Sequence, residues 1–280
     1  MAILQNKVAV VTGGGQGVGA GIAFALAAEG AIVAVLGRTL ATLEATCAEI
    51  HRRGGEAQAF VCDVTVAEDI DAAILEIVDE FGGVDILVNN AQIVPLGNLL
   101  EINEDEYLDG MDSGPLATLR FMKACYPFLR GDGSIVNVGS SAAMRSDSAG
   151  FGAYAAAKEA TRALSRAAAC EWGQDNIRVN CIMPLAMSPA MSRWVESGGD
   201  DVEDFLDTVP LGRVGDCEEI RVFVIFSGAA QWAEPTKTAK IPWPKPQMPR
   251  PRCTANTDVK FTSALKQVGL TPLAIWRYVA

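Results

Sequence analysis

Lys7-Val-Ala-Val-Val-Thr12, followed at once by Gly13-Gly-Gly-Gln-Gly17-Val-Gly19 and then by the alanine-rich run Ala20 to Glu29, decides the fold of this chain. The first piece is short with an apolar interior, as a strand inside a parallel sheet requires when both of its faces are covered. The glycines let backbone approach a phosphate closely, and the N-terminus of the helix that follows attracts negative charge. A glycine-rich turn alone is a weak signal. Strand, glycine turn and helix in that order make a strong one.

The downstream chain repeats the alternation. Ala31 to Leu36 reads as a second strand ending in Gly37-Arg38-Thr39. At that strand end a dinucleotide presents its adenosine ribose, where an acid favours NAD and an arginine accommodates the 2′-phosphate of NADP. There is no acid at this tip and Arg38 is suitably placed, so NADP(H) is preferred, with NAD(H) possible. A helix over Leu40–Arg53 leads to a third strand, Glu56 to Val64, with Asp63 at its end. A helix over Ala67–Phe81 leads to a fourth strand from Val84 into the polar turn Asn89-Asn90-Ala91. Strand and helix in alternation predict an α/β fold, a doubly wound, Rossmann-like parallel sheet.

With 280 residues, half of them apolar, the chain has ample core for one large domain. The residues before the first strand do not read as a leader peptide, and no apolar run nears the roughly 18 residues that span a bilayer. The seven cysteines show no paired spacing, and buried, reduced thiols are expected. One histidine (His51) and no cysteine cluster argue against a metal site. A net charge of −11 argues against nucleic acid as a partner of the main body. A cytoplasmic location, with no membrane partner, is the expectation.

Tyr154-Ala-Ala-Ala-Lys158 carries the candidate chemistry. On a helix these two side chains lie one turn apart on one face. A nearby ammonium favours a phenolate, and a phenol so tuned exchanges protons with an alcohol near neutral pH. With a single histidine in the chain, this pair is the better acid/base candidate.

Thr12-Gly13-x-x-x-Gly17-x-Gly19, Asp63-Val64, Asn89-Asn90-Ala91 and Tyr154-x-x-x-Lys158 together resemble the short-chain dehydrogenase/reductase family, over roughly residues 5 to 220. The resemblance implies hydride transfer between a nicotinamide and a carbonyl or secondary alcohol carbon of a small molecule. It implies that Thr12, Gly13, Gln16, Gly17, Val18 and Gly19 hold the pyrophosphate, and that Asp63 and Val64 meet the adenine. Asn89 and Ala91 would lie along the cofactor. Tyr154 would be the general acid/base, with Lys158 lowering its pKa and holding the nicotinamide ribose. Register from Asn137 selects Ser140 as the catalytic serine, whereas spacing from Tyr154 selects Ser141; Ser140 is favoured. Pro184, Ile182 and Ser188 fall where the family contacts the carboxamide end of the cofactor. Leu185 to about Gly215 would form the mobile substrate loop, in which Met187, Met191 and Trp194 supply apolar surface. A homodimer or homotetramer is expected of such enzymes.

Four departures stand out. Gln92 occupies a position that is usually glycine, and its side chain is expected to reshape the pocket or reach a substrate. Gly114 stands where many members carry an asparagine that supports a water in a proton relay, and Pro115 beside it predicts a kink or helix break. Leu185 replaces the glycine of a Pro-Gly turn. Beyond Ile220 the expected helix, Thr-Gly turn and last strand are not recognisable; Pro235, Pro242, Pro244, Pro246, Pro249 and Pro251 follow among basic residues.

Residues 231–280 hold eight Lys/Arg against two acids, a surplus of +6 that leaves −17 on the first 230. The chain therefore divides into a catalytic domain, 1–230, without a normal last strand, and a basic, Pro-rich tail, 231–280. The tail is either a partner-docking extension or the product of a reading-frame shift near residue 220. The abrupt change in composition favours the shift. The departures also motivate an alternative function, a cofactor-binding protein with little or no turnover that acts as a sensor or partner-binding module.

Overall fold

The computed structural model of the chain describes residues 2–144 and 150–220. The expectations for the last strand and the basic tail fall outside the described residues.

Among those described, β1 (Val8–Thr12), β2 (Ile32–Gly37), β3 (Glu56–Val61), β4 (Ile86–Asn89), β5 (Ser134–Val138) and β6 (Arg178–Ile182) form one sheet. Its order is β3-β2-β1-β4-β5-β6, and every pairing is parallel. This is the doubly wound, Rossmann-like α/β fold that the alternation predicts. The chain steps outward from β1 to β3 and then returns to the other side of β1 for β4. Such a reversal opens a crevice at the C-terminal ends of β1 and β4, the place where doubly wound sheets hold ligands.

Helices cover both faces. On one, Ala9, Val11, Val33, Val35, Ile86 and Val88 pack against α1 (Gly17–Ala28) and α2 (Leu40–Arg52). On the other, Val8, Val10, Leu36 and Leu87 pack against α3 (Ala67–Phe81) and α5 (Ala117–Leu129). Successive strand residues serve opposite cores, which is why β1 shows no polar alternation.

β4 ends at the expected polar turn, whereas β3 stops at Val61, short of the expected Val64. At Asn89 the next two N–H groups leave the ladder for the Thr12 hydroxyl, Asn90 N at 2.9 Å and Ala91 N at 3.0 Å. After Val61 the Asp63 carboxylate accepts from Thr65 N at 3.0 Å and folds the chain into a turn.

Pro115 does not break its helix. Between α4 (Glu104–Met111) and α5 the residues Asp112–Leu116 form a π-helical turn, a widening that accommodates a residue without an N–H. The segment expected as a substrate loop holds two short helices, α7 (Pro189–Ser197) and α8 (Asp200–Asp207). Three of the described cysteines, Cys47, Cys62 and Cys125, are buried as expected; Cys170 instead stands on the exposed side of α6 (Gly152–Trp172), and Cys181 and Cys217 are half-buried.

Candidate active site

The glycine turn closes directly onto the end of β4. Gly13 has a φ of +63°, and a Cβ there would come within 2.9 Å of the Asn90 amide and 3.0 Å of Ala91 Cα. Asn90 Nδ2 in turn donates to the carbonyls of Thr12 at 3.0 Å and Gly13 at 3.2 Å. A Cβ on Gly19 would collide with the Gly13 carbonyl oxygen, so only glycine lets the first turn of α1 pack this tightly. Gln16 is the N-cap residue of α1, makes no side-chain cap, and no acid stands in the first turn where Gly17, Val18 and Gly19 lie. The result is a cradle of backbone donors suited to an anion. Gly17 is also the point at which the later chain returns, since a Cβ there would lie 3.1 Å from Pro189 and 3.6 Å from Ser188.

Arg38 is exposed just past the end of β2, and Asp63 lies near enough to feel its charge. Asp63 is held below the usual carboxylate range chiefly by the Thr65 N–H, with the Thr65 hydroxyl and Arg38 adding to this. Val64 is buried in the core beneath α3. The Asn89 side chain is turned away from the crevice: Nδ2 donates to Asn137 Oδ1 at 2.9 Å, because the two residues sit side by side in the β4–β5 register. Asn137 Nδ2 continues to Ser165 Oγ at 2.9 Å on α6. This buried polar string ties β4, β5 and α6 together. Asn90 and Asn137 fall within the stretches that the sequence reading uses but carry no role there, and Ser165 is not singled out at all. The signal for Asn137 was a polar residue inside an otherwise apolar strand.

Ser140, Tyr154 and Lys158 converge at the end of β5. Ser140 caps a short 3₁₀ turn (Ser141–Ala143), its Oγ accepting from Ala142 N at 3.2 Å, and its hydroxyl is hydrogen-bonded to Tyr154. Ser141 is exposed. The Lys158 Nζ donates to Val138 O at 2.5 Å and lies 5.7 Å from the centroid of the Tyr154 ring. Lys158 is only 5% exposed, and burial pushes its pKa down to about 8, against a smaller opposing effect from Cys181.

The phenol does not follow the simple expectation of a lowered pKa. Burial raises Tyr154 above its ordinary value, and the Ser140 hydrogen bond offsets this only in part. The reason is geometric: the ammonium faces a main-chain carbonyl and the ring, while the phenol loses water.

Ser188 caps α7 with its side chain, accepting from Met191 N at 3.2 Å. Past Pro184, the Leu185 carbonyl accepts from Gly215 N at 3.2 Å, which ties the turn after β6 to the start of the last described stretch. Met187, Met191 and Trp194 are half-buried, and Trp194 packs edge-on against Phe205 at 5.3 Å. The Gln92 side chain lies beside Gly114 of the π turn, and its Nε2 donates to Gly110 O at the end of α4 at 3.4 Å.

Comparison with known proteins agrees with this geometry. The family model described as short chain dehydrogenase matches residues 7–198. A 12alpha-hydroxysteroid dehydrogenase from a Clostridium species is 40% identical over 227 residues, covering 78% of this chain and 87% of the relative. The short-chain reductase protein NovJ of Streptomyces niveus is 37% identical over 233 residues, covering 81% of this chain and 88% of the relative. A short chain dehydrogenase from Burkholderia cenocepacia, solved in complex with NADP, superposes with a TM-score of 0.75 at 31% identity, covering 81% of this chain and 92% of that one. These matches show that the chain is a member of the short-chain dehydrogenase/reductase family, NAD(P)-dependent oxidoreductases acting on CH–OH and carbonyl groups.

Proposed function

We propose that this enzyme reduces an apolar ketone to a secondary alcohol with NADPH. The observation that carries the reading is the convergence of Ser140, Tyr154 and Lys158 at one strand end, with the phenol held protonated by burial. A protonated phenol is a proton donor, which suits an oxygen that gains negative charge.

The residues present fit a nicotinamide dinucleotide. The cradle of Gly13, Gly17 and Gly19 with the uncapped start of α1 suits a pyrophosphate, and exposed Arg38 suits a 2′-phosphate. When bound, the nicotinamide supplies the hydride. Ser140 donates its hydroxyl to the substrate oxygen as charge develops there. Tyr154 Oη delivers the proton to that oxygen. Lys158, pinned on Val138 O, places a positive charge beside the ring and steadies the phenolate that this transfer leaves.

Met187, Met191 and Trp194 favour an apolar substrate over a sugar phosphate. The relative named for a hydroxysteroid, an apolar secondary alcohol, supports the same class. The test is NADPH oxidation with a panel of oxosteroids and smaller aryl ketones. Turnover is expected, and Tyr154→Phe is expected to abolish it while sparing NADPH binding. NADPH binding without oxidation by any ketone would favour the alternative, a cofactor-binding module, for which the absence of a side chain at Gly114 is the motive.

A further inference from the structure

Two departures of this chain from its family meet in space. A Cβ built on Gly114 would lie 2.7 Å from Gln92 Nε2 and 2.9 Å from its Cδ, so no side chain at 114 coexists with Gln92 where it stands. Gln92 Nε2 donates to Gly110 O at 3.4 Å. Gly110 lies in the last turn of α4, so this contact ties the chain just past β4 to the helix immediately before the π-helical turn.

The same strand end is pinned a second time, since Ile93 N donates to Ser113 Oγ at 2.9 Å. The π turn so anchored packs against α6, the helix that carries Tyr154 and Lys158. Gln92 Oε1 accepts no hydrogen bond from the described residues, which leaves an acceptor for water or a substrate hydroxyl.

We propose that Gln92 is a positioning residue for the Tyr154–Lys158 pair, that its amide takes the place of the side chain missing at 114, and that Gly114 is the space it requires. The inference rests on the ketone reduction proposed above. The amide acts by holding the π turn, and hence α6, in register with the end of β5.

The test compares the full-length chain with Gln92→Leu, Gly114→Asn and the swap Gln92→Gly/Gly114→Asn, by kcat, KM, NADPH affinity and thermal midpoint. Gln92→Leu keeps the volume and removes the amide. It is expected to lower kcat about tenfold, the scale of one lost hydrogen bond, with KM and NADPH affinity little changed. Gly114→Asn alone is expected to lower the midpoint through collision with Gln92. The swap, which delivers an amide from the helix side, is expected to recover both midpoint and kcat to within about threefold. If Gln92→Leu does not fold, the swap decides. Full kcat in Gln92→Leu, or a swap no better than its worse single variant, overturns the proposal alone. An unmodified chain that reduces no ketone overturns it together with the reading it rests on.

Discussion

Lys158 reaches across from α6 to the last carbonyl of β5, its ammonium 2.5 Å from Val138 O, and this one contact orients the charge of the candidate active site. It also sets a conflict, because the same ammonium is almost wholly removed from water. Function and stability therefore pull in opposite directions at this residue.

The conflict has a pH signature. Burial lowers Lys158 to about 8 from 10.5, so between those values the unfolded chain holds a proton that the folded chain releases. Stability from this group consequently rises as pH climbs through that window and is depressed by a constant amount below it. The stability advantage of Lys158→Met over the unmodified chain is expected to shrink by about 3 kcal/mol across the window. Urea unfolding of both proteins at several pH values measures it. A difference that does not change with pH would show that the lysine is not shifted.

Ser140 and Ser141 should separate cleanly. Ser140 is bonded to Tyr154 whereas Ser141 is exposed. Ser140→Ala is expected to lower kcat about 100-fold, the usual scale for one oxyanion donor. Ser141→Ala is expected to stay near the unmodified rate. The reverse pattern in steady-state kinetics would move the role one residue along.

Arg38→Ala is expected to weaken NADPH binding about tenfold and to leave NADH binding nearly unchanged, as the loss of one charge-assisted contact to a phosphate predicts. Calorimetric titration with each cofactor reads this directly. Equal losses for both would mean that Arg38 does not meet the 2′-phosphate.

Asn137→Ala strips the Asn89 amide and the Ser165 hydroxyl of a shared buried partner. A cost of about 2–3 kcal/mol in urea unfolding is expected from the groups left unsatisfied. A loss below about 1 kcal/mol would mean that water enters and replaces the amide.

The strand–glycine–helix opening and the alternation after it predicted the doubly wound sheet, and the structure has that sheet. The prediction works because strands covered on both faces must be apolar throughout, a pattern that short-range sequence carries. The Tyr154–Lys158 pair was legible for a similar reason, since one helical turn fixes both side chains on one face. The end of β4 was legible as the polar turn Asn89-Asn90-Ala91, but its partner was not: the Thr12 hydroxyl, 78 residues away from Asn90, takes the N–H groups there, and no local pattern announces it.

What the amino-acid order determined here is whatever depends on near neighbours: the parallel α/β sheet, the glycine turn at the start of α1, the Tyr154–Lys158 pair on one helix face and the family. Tertiary structure decided the rest. It chose Ser140 as the partner of Tyr154, turned Asn89 inward onto Asn137, raised the phenol's pKa where a lysine four residues away suggested lowering, and set Gln92 on Gly114. Each of these depends on distances between elements far apart in the chain and on how much water their packing excludes, and both exist only once the sheet and its helices have closed.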